Sequence, residues 1–298
     1  MSSSASKPSL YTLAGEQFQR RWLDLQQWDM AKTKLNLSRL ASLNEKSRKP
    51  VRANGPIVSL TTYGRRIQTV HLTIESIAAG TLRPSRMILW LDDEPALRNL
   101  PVGLKRLQDR GLEILLSENF GPHTKYFPYL QSTNTFDKPL VTADDDTVYA
   151  ASWLQGLARG YATNPAVVSC YRAHEIRFSG EQLAPYATWG RCRTDRPEYR
   201  NFGTGVSGCL YPPAFLSTLK AMGRQFEQVC PKADDLWLHV NAIRAGYKIR
   251  QVHPWQINYP VLPDTQDMGL AVSNVHAAQN DTQIQATYTA QDLALLRS

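Results

Sequence analysis

With 298 residues, 42% of them apolar, the chain is long enough to bury a full core. It has no run of about 18 apolar residues, and the start Met1-Ser-Ser-Ser-Ala-Ser-Lys7 lacks an apolar signal region, so a soluble or peripheral cytoplasmic protein is expected. Cys170, Cys192, Cys209 and Cys230 are too widely spaced for a CxxC zinc or redox motif and too few for a disulfide scaffold, while the net charge of +8 points to anionic company without choosing among nucleic acid, an acidic membrane leaflet and a charged substrate.

From Leu13 to Leu43, apolar residues including Phe18, Trp22, Trp28, Leu35 and Leu40 recur at helical spacing among Gln, Lys and Arg. This predicts an amphipathic helical extension over residues 1–50. It would pack on the core or on a second copy, Asp24 and Asp29 breaking a basic face that would otherwise suit a membrane surface. The charged connector from Asn44 to Pro56 marks a boundary, and residues 51–298 form the second unit.

Strand and helix then alternate. Ile57–Thr62, Arg86–Leu91 and Leu112–Leu116 read as buried strands; Thr69–Ala79 and Ala96–Arg110 read as helices stopped by Gly80 and Gly111. A loop, Gly121-Pro-His-Thr-Lys-Tyr126, and a short helix precede the apolar stretch Pro139–Ala143. Such alternation predicts a parallel sheet with helices on both faces, which binds ligands at the carboxyl ends of its strands.

Asp144, Asp145 and Asp146 follow that stretch directly. Three carboxylates at a strand end raise one another's pKa, an arrangement that suits a hard divalent cation; the competing account is an Asp-rich turn that caps a helix near Ser152. A second acidic pair, Asp234-Asp235, precedes the amphipathic Leu236–Ala245, where a helix N-terminus is expected to keep a carboxylate ionised. Residues 191–200 carry four arginines beside Trp189 and Tyr199, read either as a mobile flap over phosphate or sugar or as a solvated loop. His174, His239 and His253 have no spacing partner and read as packing or surface histidines.

Ile57–Tyr63 with Arg65-Arg66-Ile67, His71–Ser76, Met87–Leu91, Thr142–Tyr149, Gly205–Pro213 and Cys230–Trp237, in that order, resemble the GT-A glycosyltransferase superfamily. More closely they are similar to a bacterial, family-2-like group that builds cell-surface polysaccharides. The resemblance covers roughly residues 56–285. It implies a Rossmann-like mixed sheet with a nucleotide-sugar half over about 56–150 and an acceptor half over about 151–285, then a C-terminal tail. It also implies Mn2+ or Mg2+ on Asp144 and Asp146, with His276 or the following Asn280-Asp281 completing the site. The implied donor contacts are Thr61, Tyr63, Arg65, Asp92, Lys125, Asp144 and Asp145, and the implied acceptor contacts are Gly205, Gly208 and Trp237. Asp235, or else Asp234, is the implied base. Capping competes for Asp92, Asp93 and Asp234, and simple turn geometry for the glycines.

The activity expected from this is inverting transfer of a hexose from a nucleotide donor, UDP-linked, to a sugar hydroxyl of a capsule, lipopolysaccharide or lipid-linked glycan. A nucleotidyltransferase is the alternative, although Thr61–Arg66 contains one glycine where a phosphate loop would be glycine-rich. A binding module for glycan or nucleic acid is the other; no nucleic-acid motif accompanies the positive charge.

Overall fold

The computed structural model describes residues 34–263, 265 and 279–298. In chain order its helices are α1 (34–46), α2 (Val70–Ala78), α3 (Glu94–Arg98), α4 (Val102–Asp109), α5 (Phe127–Ser132), α6 (Trp153–Thr163), α7 (Pro213–Met222), α8 (Phe226–Val229), α9 (Asp234–Arg244), α10 (Gln279–Thr287) and α11 (Ala290–Arg297). The strands are β1 (Ile57–Thr61), β2 (Met87–Leu91), β3 (Glu113–Leu116), β4 (Leu140–Thr142), β5 (Val167–Cys170), β6 (Ala173–Glu175), β7 (Phe178–Ser179), β8 (Gln182–Leu183), β9 (Gly190–Arg191), β10 (Asn201–Gly203), β11 (Cys209–Tyr211) and β12 (Lys248–Gln251).

Seven strands form the central sheet in the order β12-β5-β11-β4-β1-β2-β3. Every pairing is parallel except the two made by β11, which runs against β4 and β5. The remaining strands make a three-stranded sheet, β10-β6-β9, and the β7-β8 hairpin. The fold is therefore a mixed α/β sandwich around a mostly parallel sheet.

Alternation along the strands feeds two cores. Ile57, Ile88, Trp90 and Leu140 face α5, α7 and α9, whereas Val58, Leu60, Met87, Leu89 and Val141 face α2, α4 and α6. Helices thus cover both faces, which is why these strands read as unbroken apolar runs. The buried Trp90 indole donates to Ser59 Oγ at 2.9 Å, giving its one polar atom a partner inside the sheet.

The helix expected over Ala96–Arg110 is two, broken at Leu100-Pro101. Pro101 has no N–H to continue the ladder and restricts the residue before it. Helix α1 is not separated from the core: Leu40 is fully buried with Val148 and Leu262, and Asn44 Nδ2 donates to Glu75 Oε1 (3.0 Å) and to the Gly103 carbonyl (2.9 Å). Trp22 and Trp28, with the rest of residues 1–33, lie outside the described residues.

Candidate active site

The antiparallel β11 decides where the chemistry gathers. Its amino end lies beside the carboxyl end of β4, with Cys209 opposite Thr142, so the loop entering β11 and the aspartates leaving β4 meet at one edge of the sheet.

The three aspartates diverge on leaving the strand. Asp145 turns inward, its carboxylate accepting from Thr62 Oγ1 at 2.6 Å and from Arg66 Nη1 at 2.8 Å. Arg66 also lies 3.3 Å from Asp146 Oδ2 and donates to the Thr265 carbonyl at 2.6 Å. Asp144 pairs on the other side with Lys125 Nζ at 2.5 Å. Backbone bonds hold the turn: the Asp144 N–H donates to the Tyr149 hydroxyl, and the Asp145 and Asp146 carbonyls accept from Thr73 Oγ1 and the Leu262 N–H. No aspartate caps α6, whose N-cap is Ser152.

Lys125 joins this motif to the second acidic pair. Asp234 and Asp235 occupy the first turn of α9 behind Ala233 at the N-cap. Asp234 accepts from the amides of its own residue and Asp235, while Asp235 Oδ1 accepts from the Gly205 N–H at 2.8 Å. Burial would lower the Lys125 pKa, but the charges of Asp144, Asp234 and Asp235 and the hydrogen bond to Asp144 raise it well above normal, so the ammonium persists. A Cβ added to Gly205 would lie 3.0 Å from Asp235 Oδ1 and 3.7 Å from Lys125 Nζ. A side chain at this position would crowd Asp235.

The helix N-terminus does not win at Asp235. Burial first, and then the neighbouring Asp234 charge, push it up to about 8, against the opposing pull of Lys125 and the Gly205 amide. Asp146 rises to about 6 through burial and the charges of Asp144 and Asp145. Asp145 moves upward too, chiefly by burial, despite Thr62 and Arg66.

Among the described residues no three His, Cys, Asp or Glu side chains come together as a metal cluster, and His276 lies outside them. The donor set nevertheless fits a hard cation. Asp144 and Asp146 offer carboxylate oxygen, and the clustering of Asp144, Asp145 and Asp146 raises the Asp146 carboxyl, a mutual repulsion that a divalent ion would relieve.

The other expected residues divide. Tyr63, Arg65 and Asp92 sit at the same sheet end and are exposed, whereas Thr61 gives its hydroxyl to the Trp90 carbonyl and Asp93 caps α3 through the Ala96 N–H. Trp237 is buried in the core against Phe226, away from the surface an acceptor needs. Gly208 answers to packing: its φ is +94°, and a Cβ there would meet the Trp153 ring at 2.7 Å. Asn280 is buried, and Asp281 accepts from the Tyr186 N–H at 2.7 Å, a structural use of that pair.

The arginine-rich segment is hydrogen-bonded to the core at several points. Cys192 N–H bonds the Ala173 carbonyl, Gln251 Nε2 donates to the Cys192 and Thr194 carbonyls, and Glu198 pairs with Ile249. Trp189 is buried, whereas Arg193 and Arg196 are exposed.

Three contributors escaped the sequence reading of the site. Arg66 rather than Arg65 points inward, and a signal existed: it stands four residues before Val70, on the stripe continued by Ile74 and Ile77. Thr62 follows the β1 alternation inward. His123 is fully buried, stacked on Phe226 at 4.1 Å; its Nε2–H donates to the Cys230 carbonyl (2.8 Å) and its Nδ1 accepts from Tyr126 OH (2.9 Å). It thereby fastens the Lys125 turn to the segment that leads into α9.

No protein-family model and no curated protein sequence matches this chain. Among solved structures it is similar to a CMP:2-keto-3-deoxy-manno-octonic acid synthetase complexed with CTP, at 13% identity and a TM-score of 0.43, over 77% of this chain and 99% of that one. It is also similar to residues 1–349 of S. aureus TarS, at 13% identity and a TM-score of 0.46, over 81% of this chain and 70% of that one.

Proposed function

We propose that this chain is a glycosyltransferase that moves a hexose from a nucleoside-diphosphate donor, UDP-linked, to a sugar hydroxyl, with inversion at the anomeric carbon. The reading rests on one observation: two acidic groups 90 residues apart in sequence, around Asp144 and Asp234, meet across Lys125 at the carboxyl end of the sheet. Nucleophilic displacement needs this pairing. One group manages the charge of the departing diphosphate, and the other takes the proton of the incoming hydroxyl.

Asp235, held by the Gly205 N–H at the end of the sheet, accepts that proton as the hydroxyl oxygen forms its bond to the anomeric carbon. The bond from that carbon to the diphosphate breaks, and its electron pair leaves with the diphosphate. Asp144 and Asp146 would hold Mn2+ or Mg2+, which supplies Lewis-acid stabilisation of the leaving group when bound. Asp145 is a structural anchor through Arg66 and Thr62. Tyr63, Arg65 and Asp92, at the ends of β1 and β2, border the space for the nucleoside. The surface glycan as acceptor, an inner-membrane-face location and pairing with a second copy belong to the same reading.

Calorimetry of UDP binding with and without Mn2+ tests it. The wild type should bind UDP more tightly with the metal, and Asp146→Asn should lose that increment while melting like the wild type. Equal UDP affinity with and without Mn2+ in the wild type would refute the proposal.

A further inference from the structure

Arg172 stands at the same sheet edge as the aspartates, two strands along from β4. Cys209, the first residue of β11, is in register with Thr142 at the end of β4 and with Cys170 at the end of β5, and β4 and β5 run in the same direction because each is antiparallel to β11. The Asp144–Asp146 run therefore leaves β4 on one side of the loop that enters β11, and Tyr171-Arg172 leaves β5 on the other.

That loop is bonded to both Arg172 and Asp235. Arg172 Nη1 donates to Thr204 Oγ1 at 3.3 Å, and the Arg172 carbonyl accepts from the Thr204 N–H at 3.0 Å. The next residue, Gly205, gives its N–H to Asp235, and the one after, Val206, is 46% exposed. Ser207 follows at a φ of +74°, a left-handed conformation that residues other than glycine rarely adopt and that loops retain where their shape is used. Three consecutive residues thus carry a guanidinium, a carboxylate and an exposed apolar side chain. Arg172 is half-buried, and no carboxylate among the described residues lies within ion-pair distance of it. Of the five N–H donors of its fork, Thr204 takes one. Tyr186 lies within reach of the Asp235 and Arg172 charges together, in agreement with this spacing.

We infer that Arg172 binds a carboxylate or phosphate carried by the acceptor sugar, so that the acceptor is an anionic saccharide. This rests on the transferase reading of the same edge. In-line displacement brings the hydroxyl to the anomeric carbon from the side opposite the departing diphosphate. With the diphosphate at Asp144 and Asp146 on the β4 side, the acceptor lies on the β5 side, where Arg172 stands. An arginine fork pairs with either anion through two parallel N–H···O bonds, and Val206 offers an apolar surface to the sugar ring beside it.

Titration of the arginine-labelled full chain, followed by NMR of the guanidinium signals and run without nucleotide or metal, tests this with three probes: methyl glucuronide, methyl glucoside phosphorylated on its primary hydroxyl, and neutral methyl glucoside. The wild type should bind at least one anionic probe about tenfold more tightly than the neutral one, the stronger of the two identifying carboxylate or phosphate as the group read. Arg172→Gln should lose that preference while melting like the wild type, and the double variant Arg193→Gln, Arg196→Gln, altered at two exposed arginines, should keep it. A wild type that takes all three probes alike, or takes none, overturns the inference, as does a preference that survives Arg172→Gln or vanishes in the double variant. Should Arg172→Gln fail to fold, Arg172→Lys, which keeps the charge but not the planar fork, carries the comparison, with a preference about threefold below that of the wild type. An Arg172-dependent preference in a protein whose UDP affinity ignores Mn2+ would sink the transferase reading and leave the anionic-sugar site, whereas Mn2+-dependent UDP binding without the preference would sink this inference alone.

Discussion

His123 offers a quantitative handle on how the Lys125 turn is held. Its ring is buried, and burial, reinforced by the nearby Lys125 charge, lowers its pKa from 6.5 to about 4 against the contribution of the Cys230 hydrogen bond. The folded protein thus keeps His123 neutral where the unfolded chain would protonate it. Because the folded-state pKa is depressed, the stabilisation is fully present above pH 6.5 and is lost as pH falls toward 4. At pH 5 linkage predicts a loss of about 2 kcal/mol from this residue alone. In His123→Gln the amide can still donate to the Cys230 carbonyl but cannot titrate. Urea unfolding of both proteins at pH 8 and pH 5 isolates the effect, since every other titrating group is common to the pair. The wild type should lead at pH 8, and its advantage should shrink by about 2 kcal/mol at pH 5. An advantage of the same size at both pH values would mean that His123 is not held neutral, and the reasoning about the turn would fail with it.

Arg66→Met should destabilise the fold by about 3–5 kcal/mol in urea, because Asp145 would lose its buried partner, whereas Arg65→Ala should stay within about 0.5 kcal/mol; equal effects would mean that the inward arginine has been misassigned. Gly208→Ala combines a left-handed backbone with contact at 2.7 Å on Trp153, whose indole is fixed by its bond to the Ser207 carbonyl. Gly180→Ala carries the backbone strain alone, since nothing lies within 4 Å of the added carbon. Thermal unfolding should place Gly208→Ala about 1–3 kcal/mol below Gly180→Ala, the cost of overpacking, and indistinguishable melts would refute that assignment.

β1 to β4 and α2 were legible because each obeys a single local rule: apolar runs bounded by turn residues, or a stripe at Val70, Ile74 and Ile77 ended near Gly80. The split between α3 and α4 was also written in the sequence, at Pro101, but periodicity on either side of it outweighed the proline. What could not be read was pairing across the chain. The stripe through Val70 marks Arg66 rather than Arg65 as inward, but nothing local names its partner, Asp145, 79 residues later. Trp189, beside a segment read as a flap over phosphate or sugar, and Trp237, an acceptor contact implied by the resemblance, are both core residues, because an aromatic ring serves a core and a carbohydrate equally well. Only burial separates the two uses.

Asp235 shows why a local electrostatic rule can give the wrong sign. A helix N-terminus contributes roughly half a positive charge, spread over several amides, and its influence fades within a turn. At Asp234 those amides are engaged directly, so the pair has already drawn on them. Asp235 is left with one backbone amide, from Gly205, and the shared ammonium of Lys125, against burial and two neighbouring carboxylates. Burial and those charges outweigh the amide and the ammonium, and the carboxyl is pushed up to about 8. That outcome suits proton abstraction better than the expected one. A carboxylate held at the ordinary value would stay ionised but would accept a hydroxyl proton weakly, whereas one raised toward the working pH is a stronger base whenever it is ionised. Lys125 pulls against that rise from between Asp144 and the α9 pair, so the two acidic motifs are coupled through one ammonium, and a change on either side alters the proton affinity on the other.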